Sequence, residues 1–119
     1  MTFRFPHRVL PAAAALLGAA LLLAACGEKE AKSPEQARLD KGRTLYTLRC
    51  ASCHNPADPR KDGGVGPAVA GSSLELLDAR LNHAGYPEGY APKRATRVMP
   101  KLPHTAEELE ALHAFLNSF

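Results

Sequence analysis

The sequence has no tryptophan, and its other aromatics are three tyrosines and four phenylalanines in 119 residues. Little large apolar surface is available for a core. The first quarter of the chain reads as targeting rather than fold, which leaves about ninety residues for a domain. Domains of that size rarely hold on side-chain burial alone and need a disulfide, a metal or another internal staple. Disulfides cannot account for every thiol, because there are three cysteines, an odd number. No run of alternating β-branched residues marks a strand, so a sheet is not expected. Charge of one sign is also lacking. Two of the fifteen basic side chains, Arg4 and Arg8, precede Cys26 with no acid beside them, and the remainder nearly balances the twelve acids. Neither a basic stripe nor an acidic tail is present, and no nucleic-acid partner is expected.

What the chain does have begins with its leader. Residues 1–8 are polar and positive, residues 9–25 are almost wholly apolar with breaks at Pro11 and Gly18, and Leu23-Ala24-Ala25-Cys26 follows directly. This arrangement resembles a bacterial lipoprotein signal. The resemblance implies that residues 1–25 are removed and that the Cys26 sulfur carries a lipid. An uncleaved membrane anchor is the open alternative, since the apolar stretch is near the lower length limit for a span. Either way the domain lies on the periplasmic side of the cell envelope, held to a membrane that is inner or outer. Residues 26–32 form a tether beyond the leader, in which Gly27–Lys32 is polar and unpatterned and reaches about 20 Å at roughly 3.3 Å per residue.

Residues 33–119 carry three helix-start signals, in which a Ser or Thr side chain caps an amide and a Glu or Gln three residues on returns the bond. They are Ser33 with Gln36, Ser72 with Glu75, and Thr105 with Glu108. Pro34 falls at the first helical position, where its missing N–H costs nothing. Behind each start the apolar residues recur at helical spacing: Leu39, Gly42, Leu45 and Tyr46; Leu74, Leu77 and Leu81; Leu109, Leu112, Phe115 and Leu116. The domain therefore reads as all-α with three main helices. Two long stretches, 55–71 and 84–104, hold nearly all its Gly and Pro. Loops of that length count against a bare bundle unless they wrap something other than helix.

Cys50-Ala51-Ser52-Cys53-His54 supplies that something. Two thiols spaced CxxC with His next in line form the attachment signature of c-type haem: the thiols add across the porphyrin vinyl groups, and the imidazole lies under the iron. A thioredoxin-like dithiol would want a preceding strand and a βαβ setting, and a zinc site a second ligand pair, neither of which the sequence offers.

Taken together, Gly42, Tyr46, CASCH, the GGVGPAVAG run at 63–71, the Met99-Pro100 pair and the capped last helix resemble the class I c-type cytochromes from about residue 35 to 119. The resemblance implies a cytochrome c fold with its loops wrapped around one covalent haem c. It also implies His54 and Met99 as axial ligands, and a carbonyl at Pro67 that receives the second ring N–H of His54, as ligating histidines usually require. Met99 is the one methionine left once the leader is gone. His104, close by, is the rival ligand, while His83 and His113 are weaker candidates. Gly42 and Tyr46 have a packing role where the first helix crosses the last, with Phe115 or Leu116 opposite. Tyr86, Tyr90, Arg94 and Arg97 either cover a haem propionate or form a solvated loop.

With both axial positions filled the expected role is single-electron transfer between redox proteins, not catalysis. The basic group Lys93, Arg94, Arg97 and Lys101 brackets Met99 and would steer acidic partners. Two alternatives remain: the electron-accepting haem subunit of a dehydrogenase or sulfur-oxidising complex, and an open-site haem sensor or peroxidase.

Overall fold

A computed structural model describes residues 31–95 and 98–119. Helix α1 spans Pro34–Arg49, α2 Leu74–His83 and α3 Ala106–Leu116, and no strand occurs among the described residues. The all-α reading stands. No helix among these residues is long and apolar enough to cross a membrane.

Each helix starts at a hydroxyl. Ser33 accepts from the Gln36 N–H, with Pro34 in the first turn. Thr105 and Glu108 form a complete reciprocal box, Glu108 N–H to Thr105 Oγ1 at 3.3 Å and Thr105 N–H to Glu108 Oε2 at 2.9 Å. The middle start differs from expectation by one residue. Ser73, not Ser72, caps α2 by accepting from Leu76 N–H, because Ser72 spends its own hydroxyl on the carbonyl of Val69. Glu75 then sits in the first turn as an acid against the positive helix end, without closing a box. Leu74, expected on the apolar stripe, is 41% exposed at the helix start.

The core lies where α1 crosses α3. A Cβ built on Gly42 would lie 2.7 Å from the Ala111 carbonyl carbon and equally near Phe115 Cβ, so the helices meet backbone to backbone and only hydrogen fits there. One turn on, Tyr46 is buried with its ring 5.6 Å from that of Phe115. Leu77 and Leu81 of α2 join Leu109, Leu112, Phe115 and Leu116 of α3 in the same cluster. Both termini of the first long loop are pinned to this frame: Tyr46 Oη donates to Asn55 O at 2.6 Å, and Gly71 N–H donates to Leu116 O at 2.9 Å. Burial pushes the Tyr46 phenol up to about 12, so it stays a donor at every working pH. The sequence reading assigned Tyr46 to packing and did not find this second role.

Candidate functional site

Helix α1 ends at Arg49, and the chain turns at once through the cysteine motif. Cys53 and His54 N–H groups both donate to Cys50 O, at 3.1 and 3.0 Å, which winds the two thiols and the imidazole onto one tight turn. The glycine run folds back over it, with Val65 and Gly66 N–H donating to Cys53 O at 3.2 and 2.9 Å. His54 is 7% exposed, and its Nδ1 lies 2.7 Å from Pro67 O. A carbonyl can only accept, so it is Nδ1–H that donates here, and Nε2 is the ring nitrogen this bond leaves unused. Gly66 is the closest neighbour of the ring: a Cβ there would come 2.5 Å from Cε1 and 2.6 Å from Nδ1. Both thiols are unbridged, and burial pushes that of Cys50 up to about 11.

These groups wall a cleft of about 560 Å³. Its other sides are Val69, the Leu77 and Leu81 face of α2, Tyr86 and Tyr90, and the segment carrying Met99. Met99 is half-buried against the core beside Leu102 and lines the cleft. The rival histidines lie elsewhere. His104 is buried outside the cleft lining, its Nδ1–H donating to Leu102 O at 2.5 Å and its Nε2 buried without a partner among the described residues. His83 is exposed and faces Asp78 at 3.5 Å, and His113 lies in a separate groove between α1 and α3.

Of the residues named for a propionate, Tyr86 and Tyr90 stack at 5.3 Å and line the cleft. Arg94 also reaches it, but its guanidinium is committed to the glycine loop: Nη1 to Val65 O at 2.7 Å, Nη2 to Asp62 Oδ2 at 3.1 Å. Lys93 likewise donates to Ala68 O at 2.8 Å. Asp62 organises this corner from the other side. Its carboxylate takes the Ala68 N–H as well as Arg94, and both hold it below the usual carboxylate range. Lys101 is exposed. Arg97 and Cys26 lie outside the described residues.

Two arginines at the cleft were missed by the sequence reading. Arg80 stands 4.6 Å from the centre of the Tyr86 ring and donates to Met99 O at 3.4 Å, and Arg49 donates to Pro103 O at 3.3 Å. The signal for Arg80 was present, since it is three residues past Leu77 and shares that helix face.

Among the described residues no group of three or more His, Cys, Asp or Glu side chains forms a metal cradle. The donors that converge are two thiols, one imidazole whose Nδ1 is taken by Pro67 O, and one thioether, around a largely aliphatic and aromatic cleft. This donor set, on a glycine loop that leaves the ring no spare room, fits a covalently attached haem. Residues 37–116 match the family described as cytochrome c oxidase, cbb3-type, subunit III. No curated protein and no solved structure matches the chain.

Proposed function

The chain belongs to the cytochrome c family described as cytochrome c oxidase, cbb3-type, subunit III, and from that premise we propose that it is a membrane-tethered, mono-haem electron carrier. A domain of this family transfers electrons and carries covalent haem c. The finer reading assigns Cys50 and Cys53 to the two thioether bonds, His54 and Met99 to the axial positions, and the Pro67 carbonyl to orienting His54. The bound haem supplies a reversible one-electron iron couple. With haem bound, the protein's part would be to hold the imidazole by Pro67 O, offer the Met99 thioether as the second protein ligand, and keep water out with aliphatic walls.

The observation that carries this reading is the single cleft in which Cys50, Cys53, His54 and Met99 meet while His54 Nδ1–H is taken by Pro67 O at 2.7 Å. A site with both axial positions filled leaves small molecules no place to bind and favours brief, weak encounters with redox proteins. The leader and Cys26 support a lipid tether on the periplasmic side of the envelope, with residues 26–32 as its short arm.

Visible spectra of the purified protein, oxidised and reduced, with and without carbon monoxide, test the assignment. The wild type should show the weak red band of iron–thioether bonding and ignore carbon monoxide. Met99→Ala should lose the band and bind the gas. A wild type that binds carbon monoxide would move the sensor or peroxidase reading ahead. In the same preparations Cys26→Ser should shift the protein from the membrane to the soluble fraction. A second reading, a haem subunit fixed in a larger oxidoreductase, draws on the family description, which itself names a subunit. A stoichiometric partner in gently solubilised membranes would favour it.

A further inference from the structure

The segment from Met99 to His104 has no regular structure, and two of its six residues, Pro100 and Pro103, have no N–H to donate. It cannot hold itself by its own backbone bonds. Besides the His104–Leu102 contact within it, the segment is held by bonds from α2 and the end of α1. Arg80 Nη2 donates to Met99 O at 3.4 Å, Leu102 N–H donates to Leu81 O at 2.9 Å, and Arg49 Nη1 donates to Pro103 O at 3.3 Å. Asn82 does the most. Its Oδ1 accepts from His104 N–H at 2.8 Å and its Nδ2 donates to His104 O at 3.2 Å, so one side-chain amide pairs with both backbone groups of a buried residue. The amide is itself oriented by Asp78, whose Oδ1 accepts from Nδ2 at 2.8 Å.

We propose that Asn82, with Arg80, is a positioning residue for the sixth iron ligand: the last turn of α2 clasps the Met99–His104 segment and fixes how firmly the thioether is presented to the cleft. The proposal rests on the reading of Met99 as a ligand. Its physical content is that the clasp adds to the packing of Met99 and Leu102 on the core, the burial of His104, and the Leu102–Leu81 and Arg49–Pro103 bonds in holding this segment down. Removing the Asn82 amide leaves a buried N–H and C=O to find water, and this is possible only if the segment lifts. Lifting carries Met99 away from the cleft while Cys50, Cys53 and His54, held by their own turn and the glycine loop, stay in place.

Asn82→Ala should keep its helical circular dichroism and covalently bound haem. Its red thioether band should weaken, and the carbon-monoxide-reactive fraction of the reduced protein should rise roughly tenfold, in line with two lost hydrogen bonds. Asn117→Ala is the control, since it removes a comparable side-chain bond, to Ser72 O at 3.0 Å, far along the chain from Met99. It should lower the melting temperature and leave the band intact. A folded Asn82→Ala with wild-type band and wild-type inertness to carbon monoxide overturns the proposal, as does Asn117→Ala opening the site equally. Should Asn82→Ala fail to accumulate, amide exchange in the wild type decides. Leu102 and His104 amides as slow as those of α2 support the clasp, and amides as fast as those of the 88–91 loop overturn it. Met99→Ala retaining the wild-type band overturns both readings and identifies the ligand assignment as the one at fault.

Discussion

His54 is backed by a carbonyl and not by a carboxylate, and the difference matters at the scale of one residue. A carbonyl orients the imidazole and fixes its tautomer without adding a negative charge to a buried site. The support depends on Gly66, because the ring lies where a Cβ at that position would be. Gly66→Ala should cost about 1–3 kcal/mol of stability through overpacking. It should also perturb the ligand field, since the ring must move away from the Pro67 carbonyl. Thermal unfolding together with the visible spectrum checks this, and an unchanged melting temperature with an unchanged spectrum would refute it. Gly42 is tight for a different reason, helix against helix, and its replacement has no direct path to the imidazole.

At the scale of the element, the three helices are short and owe much to their first turns. The α3 box is the best made, and it stands at the exit of the clasped segment, immediately after His104. Thr105→Ala should cost about 1 kcal/mol, which for a domain of this size corresponds to a melting temperature lower by about 4–8 °C. The partner Glu108 adds a pH dependence with a definite sign. Its carboxyl is held below the ordinary carboxylate value, first by the Thr105 N–H and then by nearby positive charge. A depressed folded value stabilises above the unfolded pKa and is lost as pH falls through the folded one. Glu108→Gln should therefore differ most from wild type at neutral pH and converge with it in acid, as urea titrations at several pH values would show. Neighbouring elements are joined by the same economy of side chains: Lys41 of α1 pairs with Glu107 of α3 on the exposed side of the crossing, a bond that solvent makes weak.

Over the whole molecule, the question is how the protein meets partners. The basic residues around Met99 do not all serve that purpose equally. Lys93 and Arg94 keep their charge but spend their hydrogen bonds on the glycine loop, and Asp62 offsets Arg94 at 3.1 Å. Lys101 is exposed and, among the described residues, carries none of this structural duty, which makes it the probe of steering. Electron transfer with an acidic redox protein should slow as ionic strength rises. Lys101→Glu should slow it further at low salt, with the gap closing near physiological salt as screening takes over. A stopped-flow series with no salt dependence, or with Lys101→Glu indistinguishable from wild type at low salt, would remove the steering idea. Exposed Val65 and Val98, at the mouth of the same cleft, offer apolar contact once the charges have brought a partner near.

Helix class and number could be read from the sequence because capping and periodicity are local: each depends on residues three or four apart, and Ser33, Thr105 and the leucine spacing carry it unaided. The CASCH turn was legible for the same reason, as was the Gly66-Pro67 pair once the family resemblance was recognised. The register of the α2 start was not, since Ser72 and Ser73 are equal candidates until Val69 is folded close enough to claim one of them. Long-range partnerships were equally invisible. Whether Met99 or His104 turns to the cleft depends on which backbone groups α2 offers to a proline-broken segment, and whether Arg94 is a free charge depends on where Asp62 and Val65 arrive from the other loop. The local motifs alone thus determined three capped helices and the tight CASCH turn, while tertiary structure decided which polar side chains are spent on holding the loops, because those bonds join residues that only the folded chain brings together.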